Sequence, residues 1–121
     1  MPESSDYAAW RGRLTEGINQ ELYPVEYLDR LLIEGRAAFL ATSDAAIIIE
    51  IKTFPSGVRA VAGIVAAGDK DEIRGRLIPA AEEIGRRAGC KYGLIESRPG
   101  WCRAMKEDGY ELFQASIIKE L

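Results

Sequence analysis

Residues 66–111, AAGDKDEIRGRLIPAAEEIGRRAGCKYGLIESRPGWCRAMKEDGYE, carry the alternation that decides the fold. In order they read as the end of a strand, an acidic turn, a long helix, a strand, a short helix and a Gly-Tyr stop. Over 70–88, Ile73, Leu77, Ala80, Ala81 and Ile84 recur at spacings of three and four, the mark of one helical face. Gly75, Pro79 and Gly85 interrupt that face, and Pro79, which lacks a backbone donor, predicts a bend if the helix runs through it. After Gly89, CKYGLIE (90–96) reads as a buried strand, 99–106 as a short helix with proline in its first turn, and 111–119 as a final strand. A strand on either side of a helix returns in parallel through a crossover, so 58–96 should form a β-α-β unit.

Upstream, Tyr7, Trp10, Leu14 and Ile18 mark a helix over 6–20, with Ser4 or Ser5 as N-cap. Pro24 opens a second helix, whose face is Val25, Leu28, Leu31 and Leu32, and Gly35 closes it. Three strand-like runs follow, over 37–42, 45–54 and 58–66, joined by the short connections at Ser43-Asp44 and FPSG (54–57) that antiparallel hairpins use. In the middle run Ile47, Ile49 and Ile51 share an apolar face, while Ile48, Glu50 and Lys52 share a mixed one. The expected order is α-α-β-β-β-α-β-α-β, an α/β (α+β) mixed sheet with helices on both faces, forming one domain over 1–121.

At 121 residues and 47% hydrophobic composition the chain supports one core and no second domain, and only the opening MPESS reads as loose. A net charge of −3 and a sequence pI near 5.1 lack the footprint of a nucleic-acid binder. Arg74, Arg76, Arg86 and Arg87 cluster, but Asp71, Glu72, Glu82 and Glu83 interleave with them, as on a solvated helix face. Cys90 and Cys102 form no C-x-x-C pair and histidine is absent, which argues against a metal site and against Ser-His or Cys-His catalysis. With no apolar run of membrane length and no signal-peptide pattern, the expectation is no membrane partner and a cytoplasmic location with reduced thiols.

The element order, with GCKYGLIE (89–96) and WCRAMKEDGYE (101–111), resembles the GNAT superfamily, which transfers an acyl group from acyl-coenzyme A to an amine. The resemblance runs from about Trp10 onward, without the family's usual first strand. It implies a Gly-rich turn before the long helix, where backbone N–H groups and the helix N-terminus receive the coenzyme pyrophosphate. Here that turn is DKDEIR (69–74), with no glycine and three acids. Asp69 and Glu72 stand at capping-box spacing, so carboxylates can take the N-terminal donors themselves. Gly68 and Lys70 are the candidates for phosphate contact, a plain turn and a solvated lysine being the alternative.

The resemblance also implies a general-acid Tyr four residues before the glycine that ends the short helix, and this chain has Met105 there. Tyr92 and Tyr110 are near in sequence, and Tyr110 is the remaining candidate acid, or else a packing residue at the stop. Glu50 and Glu96 are candidate bases. Glu96 is preferred, at the carboxyl end of an expected parallel strand where open α/β sheets place ligands, unless it pairs with Arg98 or caps the next helix. Trp101, in SRPGW (97–101), and Arg98 line either the same cleft or an interface.

Two functions follow. The acidic turn favours a GNAT-like binding or structural module with a degenerate acyl-CoA site and no cofactor, similar to the short GNAT-like proteins of phages and prophages. Its partner would be a second copy or another protein, met through the exposed edge of AAIIIEIK (45–52) or around Trp101. The alternative is a divergent N-acyltransferase that uses acetyl-CoA, acting on an amine with Glu96 as base.

Overall fold

The computed structural model describes residues 4–96 and 100–121, with side chains from Asp6 onward, so the Ser4 or Ser5 cap and Arg98 lie outside what is described. Helices α1 (Ser4–Thr15) and α2 (Val25–Ile33) precede strands β1 (Ala38–Ala41), β2 (Ala45–Thr53) and β3 (Arg59–Gly68). Then come α3 (Lys70–Glu72), a π-helical turn (Ile73–Leu77), α4 (Ile78–Arg87), β4 (Tyr92–Ile95), α5 (Gly100–Ala104) and a 3-10 turn (Lys106–Asp108). The strands form one sheet in the order β1-β2-β3-β4, antiparallel except for the parallel β3/β4 pair. The expected hairpins and β-α-β unit are therefore present.

Both faces of the sheet are covered, which changes the reading of β2. Ala45, Ile47 and Ile49 pack with Val61, Ile73, Leu77, Ile78, Ala81 and Met105 on one side. On the other, Ala46 and Ile48 pack with Leu14, Leu28, Phe39 and Val65. The face expected to be mixed is thus apolar as far as Ile48, and only from Glu50 onward does it run out from under its helices. Nor is β2 an edge, since β1 pairs with Ala46 to Ile49 and β3 with the whole strand, leaving only Glu50–Thr53 beyond β1.

The long helix is continuous in path but not in pitch. Ile78 donates its N–H to Ile73 O, one residue further back than an α-helix reaches. That extra residue rotates the downstream face, so the buried set is Ile73, Leu77, Ile78, Ala81 and Gly85, while Ala80 and Ile84 turn outward. Pro79 falls in the first turn of α4, where a missing N–H is tolerated, so no α-helical bond is lost to it. At the far end Gly89 adopts a φ of +79°, Cys90 N–H bonds to Gly85 O and Gly89 N–H to Arg86 O, the pattern that closes a helix through a left-handed residue. Arg59 donates to Ala88 O at the same end, bringing a cation to the helix C-terminus.

The final strand expected over 111–119 does not form, and residues 111–121 carry no regular structure and are exposed throughout. The physical reason lies in two apolar doublets, Leu112-Phe113 and Ile117-Ile118. They put large apolar groups on both faces of any strand, so pairing would need cover on two sides.

A polar clasp fastens α1 to α2. Asp29 accepts the Tyr7 hydroxyl at 2.5 Å and the Arg11 guanidinium at 2.9 Å and 2.7 Å. The bidentate hydrogen bond from Arg11 holds the Asp29 carboxyl below its ordinary value of 3.8, against the opposing effect of burial. A carboxylate whose folded value is depressed contributes stability above its unfolded value and loses it as pH falls through the folded one. Asp29→Asn should therefore lower the urea midpoint at neutral pH, with the gap to the parent chain closing as both are measured toward pH 3. A gap independent of pH would refute the clasp.

Candidate functional site

The turn that joins β3 to α3 decides whether a phosphate can be held. Asp69 has extended backbone angles, and its Oδ1 accepts the Glu72 N–H at 3.0 Å, while its own carbonyl accepts Ile73 N–H at 3.0 Å. The reciprocal half of a capping box is not made: Asp69 N–H goes to Asp44 O at 2.9 Å, and Glu72 pairs with Arg76 at 3.4 Å. One carboxylate therefore takes one of the donors at the helix start, the Glu72 N–H. Gly68, with a φ of +103°, lies against the β1–β2 turn, where an added Cβ would stand 2.4 Å from Asp44 O and 2.7 Å from Ala45 Cα. Close packing of backbone on backbone accounts for this glycine. Lys70 holds its ammonium 5.4 Å from the centre of the Trp101 ring, so two residues singled out separately in the sequence meet here.

At the strand ends, Glu96 follows β4 and its N–H bonds to Gly63 O. Its carboxylate accepts the Lys52 ammonium at 2.6 Å, from the outlying end of β2. Burial works against the Lys52 charge, but the hydrogen bond and attraction to Glu96, aided by Glu50, outweigh it and hold the ammonium above its ordinary range. Glu50 and Glu96 are thus brought to one lysine. As a base, Glu96 begins in a charge-assisted pair.

Tyr110 sits on the other side of the β3–β4 unit. Its N–H bonds to Met105 O at 3.2 Å, and its hydroxyl donates to Glu82 at 2.7 Å across from α4. Gly93 makes room for it, because an added Cβ there would lie 2.9 Å from the Tyr110 hydroxyl oxygen. Burial, then the Glu82 hydrogen bond, push the phenol well above its ordinary range, making it a poor proton donor. Met105 is fully buried in the core beside it.

An open groove of about 470 Å³ runs along this side, lined by Asp71, Arg74, Glu82, Met105 and Asp108 among others. Three carboxylates face one guanidinium, and that guanidinium is engaged: Arg74 Nε donates to Asp108 at 2.7 Å and a second nitrogen reaches Glu107 at 3.5 Å. The sequence gives no local sign of this link between the π turn and the 3-10 turn, since Arg74 reads there as one of several solvated arginines. The Lys52–Glu96 pair was equally hidden, because its partners stand 44 positions apart. Alternating faces predicted that Lys52 shares a side with Glu50, but not what it meets.

No family model matches the sequence, and no curated protein matches it. Solved structures do. The aminoglycoside 6'-N-acetyltransferase AAC(6')-IG of Acinetobacter haemolyticus superposes with a TM-score of 0.72 at 15% identity, over 98% of this chain and 94% of that one. Glucosamine-6-phosphate N-acetyltransferase of Arabidopsis thaliana gives 0.69 at 12% identity, over 98% and 93%. The aminoglycoside N-acetyltransferase AAC(6')-Iy, solved in complex with CoA, gives 0.68 at 15% identity, over 98% and 90%. The chain has the fold of the GNAT acetyltransferases, a mixed sheet with helices on both sides.

Proposed function

We propose that this chain is a GNAT-like scaffold whose phosphate turn is closed by its own carboxylates, and that it serves as a binding or structural module without a cofactor. One observation carries the reading: the Asp69 side chain holds the Glu72 N–H, a donor the coenzyme pyrophosphate would otherwise take. The charge around it acts in the same direction. A carboxylate about 4 Å from an anion repels it by roughly 1 kcal/mol in water and about 4 kcal/mol at the effective dielectric near a protein surface. Micromolar affinity is only about 8 kcal/mol in total, so a few such contacts remove it. Asp69 and Asp71 at the turn, with Glu82 and Asp108 in the adjoining groove, do not fit a coenzyme with several phosphates. Gly68 and Lys70 are occupied by packing and by Trp101, and offer little against them.

The alternative, a divergent acyltransferase that takes acetyl-CoA and acts on an amine, draws support from the CoA-bound neighbour and from Glu96 at the end of a parallel strand. The pairing of Glu96 with Lys52 weighs against it, because a base must be free to accept a proton. Calorimetric titration with acetyl-CoA and with free CoA separates the two readings, with thermal melting alongside, since a ligand of the native state raises its melting temperature. The expected result is no heat and no stabilisation at millimolar ligand. Micromolar binding would overturn the module reading and make Glu96→Gln the next variant.

A further inference from the structure

We propose that the hollow between α1 and the β1–β2 turn binds a neutral pyranose sugar. It lies on the face of the sheet covered by α1 and α2, opposite the groove beside α4, and the inference is independent of whether coenzyme binds. The hollow measures about 330 Å³ and is lined by Asp6, Ala9, Trp10, Ala41, Thr42 and Ser43. That volume suits one small ligand, and the lining joins an aromatic wall to a few convergent polar groups.

The wall is an indole held from behind. Arg13, one turn further along α1, places its guanidinium 4.5 Å from the Trp10 ring centre, and the edge of the ring lies beside Gly68. Asp6 stands one turn back along the same helix, so the side of the ring away from Arg13 faces the hollow. Ala9 and Ala41 are too short to cover it. An indole face is an apolar plane with a negative quadrupole, which suits either a cation or the C–H face of a saturated ring. Arg13 already supplies the cation, and its charge balances that of Asp6, so the ligand that fits is neutral.

The opposite wall carries hydroxyls on a braced turn. Thr42 N–H bonds to Ala45 O at 2.9 Å, and Asp69 N–H bonds to Asp44 O at 2.9 Å, tying the turn to the start of α3. Thr42 Oγ1 accepts the Asp44 N–H at 3.3 Å, so its own O–H is available to donate. The exposed Ser43 adds a hydroxyl that both donates and accepts, and the Asp6 carboxylate accepts only. A pyranose matches this set, with C–H groups on one face of a fixed ring and hydroxyls around its rim. An acyclic polyol has the hydroxyls without the fixed apolar face. A planar aromatic ligand has the face but leaves the polar groups unmatched.

The chain carries its own control, because Trp101, the second of its two tryptophans, packs on the other side of the sheet. In heteronuclear NMR of the full chain, at least one of methyl glucoside, methyl galactoside and methyl mannoside should shift the Trp10 indole N–H and the Thr42 and Ser43 amides. Saturation is expected in the millimolar range, with the Trp101 indole unmoved. Asp6→Ala and Ser43→Ala should each weaken that binding by about fivefold, the effect of one lost hydrogen bond. Both residues are exposed, so the melting temperature should stay where it is in the parent chain. Sorbitol, which has the hydroxyls without the ring, should leave both indoles in place. No shift with any of the three pyranosides at tenth-molar concentration overturns the proposal. An equal response to sorbitol, or binding that neither substitution weakens, overturns it too.

Discussion

Gly68→Ala should cost about 4 kcal/mol of folding stability, lowering the melting temperature by roughly 12–20 °C. Two independent terms make up the loss. At a φ of +103° any residue with a Cβ is strained, by roughly 1–3 kcal/mol. The added carbon then stands 2.4 Å from Asp44 O and 2.7 Å from Ala45 Cα, with the Trp10 ring at 3.0 Å. The first two are backbone atoms of a hairpin and cannot swing aside, so overpacking adds roughly 1–3 kcal/mol more. Gly89→Ala is the control. Its φ is also positive, at +79°, but nothing lies within 4 Å of the new Cβ, so only the strain should appear, about 1 kcal/mol. Equal losses at the two sites would show that contact with the β1–β2 turn is not what Gly68 serves. A domain of this length has only about 6–18 kcal/mol to lose, so the first variant is severe and the second mild.

Ile48→Ala should cost about 3.5 kcal/mol, read as a shift in the urea midpoint at unchanged slope. Ile48 is fully buried in the middle of β2, paired with Phe39 on one side and Val65 on the other, and packed beneath α1 and α2 with Leu14 and Leu28. A bulge in the β2/β3 register begins directly after it, where Ile49 pairs with Gly63 and Ile64 is left over. The strand is therefore held on both sides and cannot slide to fill the cavity, which places the cost near the middle of the usual range of about 2–5 kcal/mol rather than at its lower end. Ile33→Ala, at a residue 85% exposed, should change stability by no more than about 0.5 kcal/mol. If Ile48→Ala were equally mild, the second core would be a loose cover rather than a packed layer.

These contrasts show what local sequence carries. The hairpins, the β-α-β unit and the apolar face of α2 were legible, because their spacing and glycine stops are properties of neighbouring residues; the face of α1 was legible as far as Leu14, the helix ending at Thr15 instead of residue 20 and leaving Ile18 beyond it. Asp69 as a cap was legible for the same reason, from a short acidic side chain standing ahead of an amphipathic run. Ile84 and Gly85 were exchanged, because the rotation at the π turn depends on an extra residue that no residue type announces. Glu50 read as the outer face of a strand, while Ile48, two positions before it, proved to be core; what covers a strand is decided by α1 and α2, far away in the chain. The apolar pattern of 111–119 was real, yet a pattern states only that a segment needs a partner. Lys52 on Glu96 and Arg74 on Asp108 belong to the same class, since each link is chosen by the fold as a whole.

The π turn also bears on how this chain can change. With one residue fewer between Ile73 and Leu77, the inward set would fall at regular α-helical intervals and the bulge would vanish. Pro79 would then sit inside an unbroken helix, its ring driven against the carbonyl four residues before it. The surplus residue therefore cannot be given up while the proline stays, whereas the proline can be replaced and leave the bulge in place. The dependence runs one way, so a descendant of this sequence that regularises the helix must lose the proline first or at the same step.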